Sequence, residues 1–589
     1  MKKLISILLC LSMVFGTVVF TSQAEEADIR WDGDPVIFIQ GFMGPPLIKD
    51  KGLETEETIL GPGGTVNMTY ILAHVPQLLT GLLIHIFGGS DDMLIDGFAS
   101  LAADKMDKMS CNEDGTSKYN ISTYPFYVEE SSVAALKAAG KEDYIPEAGI
   151  TSDILEVVPE DSLFVFNSDW RMAQITNADR LASFVDDVLE YTGKSKVDIY
   201  ALSHGGQLAA TYLYYYGTQA KVDNALLNVP AIGGTTIATG LLNGETKFDM
   251  DQISRFAGVL LHTEADLRWL GKILPGDFLN GLISAVFSEV FLPLALNYGC
   301  IWDFLPMDTY PEFKEKYLNN PLIHGERIAL HDKMHYDCMA NMSKGLKAAQ
   351  EAGVNIYIMS NYGTPLGTGE AIDSDFVIDT ASTSGAYTAE PGKHFSSSYS
   401  PKRTTCSDPT HNHISPCRTV DASCAYLPEN TWFIKDQYHG QIYWDDYTRP
   451  LIKKMLLTDD IKDIYSDPDY PQFELAQNPV DALYVKFTNE ASGYFNGDSS
   501  KLLIRNTSKE YSLVVTKIKT DNFTFELDKI GAIAPGEEIE ISCTKTGSAN
   551  FFEMQVTYKR AGEILSSTFT KSFWFSAALK QIFKGRLRK

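Results

Sequence analysis

The chain has 589 residues, of which 44% are hydrophobic and 21% are charged, and its formal net charge is −26. This length exceeds what one ordinary hydrophobic core supports, so we expect two domains. The strong negative charge argues against nucleic acid and anionic surfaces as general partners.

The N-terminus has the pattern of a secretory signal. Two lysines precede an apolar stretch over residues 4–20, and small residues precede a cleavage site near Ala24. Residues 1–24 are therefore predicted to be a cleaved signal peptide, and the mature protein is predicted to be secreted.

The number and positions of the cysteines fit an exported protein but do not determine which of them form disulfides. The cysteines after residue 24 are Cys111, Cys300, Cys338, Cys406, Cys417, Cys424 and Cys543. Their odd number leaves at least one unpaired within the chain. The cluster from Cys406 to Cys424 could close a local loop, since export permits disulfides, and no C-x-x-C pair indicates zinc.

Apolar strands alternate with helical patterns from residue 25 to residue 465. The predicted elements are strands within 35–44 and 161–171, a helix over 178–193, a strand over 197–202, a helix over 207–217, strands within 225–231, 354–360 and 431–435, and a helix over 447–457. This alternation predicts an α/β domain with a parallel sheet covered on both faces. In such a sheet the chemistry lies in loops at the carboxyl ends of the strands.

Two long insertions, at about 45–160 and 236–350, interrupt the alternation and are interpreted as cap or lid segments. Each carries an apolar stretch, Leu78–Phe87 in the first and Phe278–Leu296 in the second. Polar residues and a proline interrupt the second stretch too often for a membrane span. An amphipathic lid and a core helix under a cap both fit this pattern.

The composition changes after residue 465. Residues 466–479 are interpreted as a linker, and residues 480–576 contain short strands separated by turn signals. This pattern predicts a small all-β sandwich, an accessory domain with either a structural role or a binding role toward a cell-envelope polymer. The basic tail over 577–589 is expected to fray.

The candidate nucleophile lies in the segment Ala201-Leu-Ser-His-Gly-Gly206. It joins a predicted strand to a predicted helix, and such a turn raises a serine hydroxyl above the carboxyl edge of a parallel sheet. Ala201 stands where the G-x-S-x-G pattern has its first glycine, and alanine meets the same need for a small residue. We therefore expect Ser203 to attack an acyl group.

A serine nucleophile needs a histidine base, which in turn needs an acid, and in this sheet type the chain order is serine, acid, histidine. His439 follows the strand within 431–435 and is the candidate base, because it would stand at the carboxyl edge of the sheet. His413 is the main alternative. His411 and His413 with Asp408 are weak grounds for a metal site, so no metal is predicted.

The acid is expected in a loop after the strand within 354–360. This loop offers Asp373, Asp375 and Asp379. Asp375 is preferred because an acid-x-Val turn directs its carboxylate toward the histidine while Val377 enters the core. Each of the three carboxylates could instead cap a turn or helix.

An oxyanion formed on the substrate needs backbone N–H donors. One donor is expected from His204, the residue after the nucleophile. The other is expected from the loop Gln40-Gly-Phe-Met-Gly44 after the first strand, with Phe42 as the candidate and Met43 as the alternative.

With these candidate residues assigned, the chain resembles the α/β-hydrolase lipases, and among them the lecithin:cholesterol acyltransferase-like family, over roughly residues 34–460. The segments that carry the resemblance are 35–44, Asn-Ser-Asp-Trp-Arg at 167–171, 201–206, and Asn-Tyr-Gly-Thr-Pro at 361–365, with Trp-Asp-Phe-Leu-Pro at 302–306 similar to the cap. The resemblance implies an α/β-hydrolase fold with cap or lid insertions. It also implies an extracellular enzyme that acts on long-chain lipid esters through Ser203, Asp375 and His439.

These observations predict a secreted serine ester hydrolase of lipase or phospholipase type. It would act through an acyl-enzyme on a lipid ester substrate, which could lie at a membrane or lipid-droplet interface, and no cofactor is expected. Acyl transfer to an alcohol, a non-catalytic lipid- or glycan-binding role, and peptidase or thioesterase activity remain open. The acidic loops lack the D-x-D-x-D-G pattern of a calcium site.

Overall fold

The computed structural model describes residues 31–61, 107–244, 292–475 and 483–575. Short stretches inside these ranges are not described: 32, 147–148, 365, 368–371, 391–392, 436, 441–447, 488–489, 492–493, 496–500, 507–511, 521, 526–530, 536, 548–550 and 562–566. The predicted signal peptide, the apolar stretch 78–87, residues 278–291 of the second apolar stretch and the basic tail lie outside the described residues.

The strands up to residue 475 are β1 (Val36–Ile39), β2 (Leu47–Lys49), β3 (Glu57–Leu60), β4 (Ile121–Ser122), β5 (Leu163–Phe166), β6 (Val197–Leu202), β7 (Val222–Asn228), β8 (Asn355–Tyr362), β9 (Tyr387–Thr388), β10 (Val420–Asp421), β11 (Thr431–Lys435) and β12 (Phe473–Leu475). The α-helices are α1 (Val133–Ala138), α2 (Gly149–Leu155), α3 (Gln174–Thr192), α4 (His204–Tyr216), α5 (Thr236–Asn243), α6 (Leu292–Ala295), α7 (Gly299–Asp303), α8 (Tyr310–Tyr317), α9 (Pro321–Asp332), α10 (Met342–Glu351), α11 (Thr380–Ser384) and α12 (Thr448–Leu457). A π-helical segment, Lys333–Cys338, continues α9.

Seven strands form one sheet in the order β12-β11-β8-β7-β6-β1-β5. Every neighbouring pair is parallel. The central strands are almost wholly buried, as expected of a parallel sheet covered on both faces. The α/β class predicted from the alternation of elements is therefore confirmed.

Helices cover both faces of this sheet. On one face Ile37 and Ile39 of β1 pack in a cluster with residues of α3, α4 and α10. On the other face Val36 and Phe38 pack with residues of α2 and α12. The alternation along β1 follows from the two-residue period of a strand, so one short apolar segment contributes to both cores.

The two predicted insertions are only partly separate from the main sheet. Strands β2, β3 and β4 form a small antiparallel sheet, and helices α6 to α8 share a buried apolar cluster with it. However, α2 packs in the main core although it lies inside the predicted range 45–160, and so does α10, most of which falls within 236–350. No helix among the described residues is long and apolar enough to cross a membrane.

The predicted linker over 466–479 contains the edge strand of the main sheet. Phe473 of β12 pairs with Phe433 of β11 in parallel register, and the two rings stack with centroids 5.1 Å apart. The indole N–H of Trp432 also donates to the carbonyl oxygen of Tyr470 at 3.0 Å. The sheet therefore extends about ten residues beyond the expected boundary.

The C-terminal part is all-β. Its strands are β13 (Leu483–Phe487), β14 (Glu490–Ala491), β15 (Tyr494–Phe495), β16 (Lys501–Asn506), β17 (Leu513–Lys519), β18 (Phe523–Phe525), β19 (Glu538–Lys545), β20 (Phe551–Arg560) and β21 (Ser567–Phe575). They form two mainly antiparallel sheets, β13-β16-β19-β18 and β14-β15-β21-β20-β17. One apolar cluster draws residues from both sheets, which therefore pack against each other.

Candidate active site

Ser203 occupies a strained turn between β6 and α4. Its backbone torsions are φ 57° and ψ −118°, a region that a residue with a side chain rarely adopts. The turn is held by hydrogen bonds, because the Ser203 N–H donates to the carbonyl of Asn228 at 2.9 Å and its own carbonyl accepts from Ala231 at 3.2 Å. This geometry directs the serine above the carboxyl edge of the sheet.

Two glycines after the serine allow the helix to start close to β1. A Cβ on Gly205 would lie 2.4 Å from the carbonyl oxygen of Gln40 and 2.6 Å from that of Ile39. A Cβ on Gly206 would lie 2.7 Å from the Cβ of Pro230. These separations are shorter than any side chain tolerates, so the Gly-Gly pair is required by packing.

His439 lies beside the serine. It follows β11, and its Nε2 is 2.8 Å from the Oγ of Ser203. The imidazole is only partly buried, with 12% of the side chain exposed. The sequence separation is 236 residues, so the fold alone brings the two side chains together.

Asp375 orients the histidine at two points. Its Oδ2 is 2.6 Å from Nδ1 of His439, and its backbone carbonyl accepts from the His439 N–H at 2.9 Å. Its Oδ1 accepts from the N–H groups of Val377 at 2.9 Å and Ile378 at 2.7 Å. Because a carboxylate only accepts, Nδ1 carries the proton and Nε2 is free to accept from the serine hydroxyl.

The other two aspartates of this loop bind elsewhere. Asp379 accepts from the N–H and the hydroxyl of Thr236 at the start of α5, at 2.8 and 2.7 Å. Asp373 accepts from the N–H of Gly363 at 2.6 Å. Burial raises the pKa of both carboxyls. Asp379 and Asp373 therefore have structural roles, because each carboxylate caps backbone N–H groups of a helix start or a turn.

The alternative histidine, His413, is fully buried, and its Nδ1 is 2.8 Å from Oε1 of Gln472. Gln472 precedes β12, so this contact lies at the amino end of the strands. Ser203 and His439 instead follow the carboxyl ends of β6 and β11. His413 is therefore not part of the Ser203 site.

The loop after β1 lies against the serine. A Cβ on Gly41 would lie 3.4 Å from the Cβ of Ser203, and the N–H of Gly44 closes a turn onto the carbonyl of Gly41 at 3.1 Å. Phe42 and Met43 occupy the turn between these glycines. His204 is the first residue of α4, where a backbone N–H has no acceptor within the helix.

Aromatic side chains line the region beside the serine. The ring of Phe42 contacts those of Trp170, Phe304 and His204 edge-on, with centroid distances of 4.9, 5.7 and 6.0 Å. The rings of His204 and Phe304 are 5.4 Å apart. These contacts join the loop after β1, the Ser203 turn and the cap in one apolar wall.

The His204 imidazole belongs to this wall as a neutral group. It is 1% exposed, and its Nε2 has no hydrogen-bond partner among the described residues. Burial lowers the pKa of His204 to about 4. Only its backbone N–H is therefore available to the candidate oxyanion site.

The Asp-Trp-Arg segment after β5 links this wall to the cap. Arg171 is fully buried and forms a two-point ion pair with Asp169, at 2.9 Å from Nε and 2.6 Å from a terminal nitrogen. The guanidinium also donates to the carbonyl of Met109 at 2.7 Å and to the hydroxyl of Ser117 at 3.0 Å. The segment thus has a structural role, and it places Trp170 beside Phe42.

A buried polar network that the sequence does not predict lies behind the Ser203 turn. Asp303 accepts from the N–H of Gln174 at 2.6 Å and lies 2.7 Å from Nδ1 of His331, while its carbonyl accepts from Gln207 at 2.8 Å. Gln207 lies in the first turns of α4, so this network ties the nucleophile helix to the cap. The only sequence signal was Asp303 within the cap-like segment at 302–306.

No family model and no curated protein matches the chain. Among solved structures, phospholipase PlaB from Legionella pneumophila matches with 11% identity, covers 72% of this chain and 84% of that chain, and has a TM-score of 0.28. A FixG-related protein from Vibrio parahaemolyticus matches with 10% identity, covers 16% of this chain and 99% of that chain, and has a TM-score of 0.12. Similarities this low carry no argument about fold or function.

Proposed function

We propose that this chain is a serine ester hydrolase of lipase or phospholipase type. The observation that carries the proposal is the hydrogen-bonded series Asp375, His439 and Ser203, with 2.6 Å and 2.8 Å between the bonded atoms. A serine becomes a nucleophile near neutral pH when a correctly oriented imidazole accepts its proton, and this series supplies that arrangement.

The order of the sheet supports an α/β-hydrolase fold. The serine follows β6, the acid follows β8 and the histidine follows β11, in the chain order of that fold. The strand that precedes the candidate oxyanion loop, β1, is the direct neighbour of β6. All four contributions therefore meet at the carboxyl edge of one parallel sheet.

In the reaction we propose, Ser203 attacks the ester carbonyl while His439 Nε2 takes the hydroxyl proton. Asp375 stabilises the imidazolium without accepting the proton itself. Negative charge on the carbonyl oxygen is stabilised by the N–H groups of His204 and Phe42, each of which is expected to contribute about 3 to 4 kcal/mol. His439 then passes the proton to the leaving alcohol, and water, activated by the same histidine, releases the acid from the acyl-serine.

The aromatic wall supports a substrate with an apolar acyl chain. Phe42, Trp170 and Phe304 contact one another beside the nucleophile, and the wall continues into the apolar cluster of the cap. Apolar lining with few polar groups favours long acyl chains over charged substrates. A lipid ester at a membrane or droplet surface, met outside the cell after export, is the substrate we propose.

The proposal is tested with Ser203→Ala and a fluorophosphonate probe. We expect the wild-type protein to be labelled at Ser203 and to hydrolyse esters of increasing acyl length, with phospholipid and triacylglycerol alongside. The variant should fold, escape labelling and lose at least about 10⁴-fold in kcat. Hydrolysis by a folded Ser203→Ala protein, or a wild-type protein that is neither labelled nor active, would contradict the proposal.

The same assay separates hydrolysis from acyl transfer, the activity of the lecithin:cholesterol acyltransferase-like enzymes that the sequence resembles. Adding a sterol or glycerol gives the acyl-serine a second acceptor. Free fatty acid as the main product supports the hydrolase. A sterol or glyceryl ester as the main product would reassign the protein as a transferase that uses the same three residues.

A further inference from the structure

A second cluster of reactive side chains lies in the segment between α11 and β11. Cys406, His411 and His413 place one ligand atom each within 4.8 Å of one another. Cys406 and His413 are buried, at 7% and 0% exposure. The cluster belongs to a Cys-x4-His-x-His sequence and has no part in the Ser203 site.

The protonation state of His413 follows from its neighbour. The side-chain amide of Gln472 donates through Nε2 to the carbonyls of Pro428 and Thr431, at 2.6 and 3.1 Å, so its Oε1 is the acceptor toward His413. Nδ1 of His413 lies 2.8 Å from that oxygen and must therefore donate. Nε2 then carries the lone pair.

That lone pair has no partner among the described residues. Nε2 of His413 is buried and makes no hydrogen bond to any described residue. A buried imidazole with one nitrogen fixed by an amide oxygen and the other unpartnered is the arrangement that metal-binding histidines have, because the outer hydrogen bond orients the ring toward the metal.

One pair of ligand atoms has the separation expected at a tetrahedral zinc ion. Sγ of Cys406 is 3.6 Å from Nδ1 of His411. With a Zn–S bond of about 2.3 Å and a Zn–N bond of about 2.0 to 2.1 Å, a tetrahedral angle places sulfur and nitrogen about 3.6 Å apart. Oε1 of Glu429 lies 3.0 Å from the same nitrogen, so a carboxylate is at hand for a fourth position.

We propose that Cys406, His411 and His413 bind a structural Zn²⁺, whose fourth position is filled by water or by the neighbouring Glu429 carboxylate. One thiolate, two imidazoles and a carboxylate are donors that suit zinc. This assignment differs from the two sequence-based expectations for the segment, which are no metal and a local loop closed within the cluster from Cys406 to Cys424. All seven described cysteines are free thiols in the structure.

The position of the site indicates its role. Glu429 lies in the short turn that leads into β11, and Gln472 directly precedes β12, so the metal would fasten residues 406–413 to the amino ends of the edge strand β12 and its neighbour β11. Ser203, Asp375 and His439 lie beyond the opposite ends of their strands. The proposal therefore does not depend on the proposed hydrolase activity, and it predicts stabilisation of the sheet edge.

The first test measures metal content in the full-length protein, purified without chelators. We expect about one zinc per chain in the wild type and less than about a tenth of that in Cys406→Ser and in His413→Gln. Cys424→Ser and His394→Gln are matched controls from the same segment and should keep the metal. His394 is exposed and its Nδ1 lies 2.6 Å from the carbonyl of Cys417, away from the cluster.

The second test holds even if a ligand variant fails to fold. Stripped wild-type protein is titrated with Co²⁺, which should give the intense near-ultraviolet band of a thiolate–cobalt bond at one equivalent, and Zn²⁺ should then displace it. Removing the metal should lower Tm by roughly 5 °C, and adding Zn²⁺ should restore it. This readout requires no activity measurement.

Three results would overturn the proposal. One is a wild-type protein that contains no zinc and gives no thiolate–cobalt band. Another is a disulfide at Cys406, seen as a mass two hydrogens lower that Cys424→Ser or Cys417→Ser abolishes. The third is zinc retained at equal stoichiometry by folded Cys406→Ser and His413→Gln, which would mean that the ion binds elsewhere.

Discussion

The backbone N–H of His439 donates to the carbonyl oxygen of Asp375 at 2.9 Å, while Nδ1 of the same residue lies 2.6 Å from the carboxylate. The acid therefore positions both the main chain and the ring of the candidate base. Because the two contacts lie on one residue, a change to the carboxylate alone leaves the backbone contact in place. The effect of the side chain can be measured separately from the fold.

Replacing Asp375 with Asn should reduce kcat by about 10⁴-fold. The amide keeps an acceptor for the N–H groups of Val377 and Ile378, but presents an N–H donor to Nδ1 and so favours the wrong tautomer of His439. Asp379→Asn is the matched control, because that carboxylate binds Thr236 at the start of α5. The control should cost about 1 kcal/mol of stability and leave kcat within about tenfold. Equal losses of kcat in the two variants would contradict the assignment.

Replacing Phe42 with Ala should reduce the preference for long acyl chains. The change removes the ring that contacts Trp170 and Phe304 but keeps the backbone N–H expected to stabilise the oxyanion. We expect kcat/KM to fall about tenfold or more for a long-chain ester relative to a short-chain ester. Parallel kinetics on the two esters provide the internal control. An equal loss on both would place Phe42 outside the acyl-binding region.

Acid should destabilise the protein partly through His204. Its pKa is about 4 in the folded chain and near its ordinary value of 6.5 when unfolded. Between these values the unfolded chain binds the additional proton, so stability falls as pH falls from 6.5 toward 4, by about 3 kcal/mol from this group. His204→Leu removes the titrating group. Denaturant unfolding at several pH values should show a shallower acid loss in the variant than in the wild type.

Replacing Gly205 with Ala should destabilise the fold by about 3 kcal/mol or more. The new Cβ would meet the backbone carbonyls of Ile39 and Gln40, which cannot move without displacing β1. Gly325→Ala in α9 is the control, because its Cβ would meet no atom within 4 Å and alanine is the better helix former. Thermal unfolding should rank the control at or above the wild type, with Gly205→Ala well below both.

Removing the guanidinium of Arg171 should cost about 3 to 5 kcal/mol, because it leaves the buried carboxylate of Asp169 unpaired. Arg171→Met tests this, and Arg171→Lys should restore little, since an ammonium cannot reproduce the two-point contact. The exposed pair of Lys393 and Glu390 provides a comparison, and Lys393→Ala should leave the stability almost unchanged. Denaturant unfolding of Arg171→Met, Arg171→Lys and Lys393→Ala measures the change in stability that each substitution causes.

Much of the parallel sheet could be predicted from sequence because its strands are short, continuous apolar runs. The strand at 431–435 is found as predicted, and the run at 354–360 became the longer β8. The positions of these strands also allowed the serine, the acid and the histidine to be assigned in the chain order typical of this sheet type. The structure places Ser203, Asp375 and His439 together by hydrogen bonds, while their catalytic roles remain a prediction.

The features that sequence did not predict depend on partners distant in the chain. Strand β12 has only three residues and follows a turn-rich segment, so only its pairing with β11 identifies it. Helix α2 falls inside a predicted insertion although it packs in the main core, because its packing partners in α12 lie about 300 residues later in the chain. The cluster of Cys406 with His411 and His413 is not predicted from the sequence, because its formation depends on how the loop folds back.

The edge position of β12 has a practical consequence for dividing the chain. A truncation at residue 465 would remove β12, expose the hydrogen-bonding edge of β11 and invite intermolecular strand pairing. It would also remove Gln472, which holds the imidazole of His413. A shortened protein that ends after residue 475 keeps both, so it allows the contribution of the C-terminal β-sheets to be measured without disturbing the main sheet.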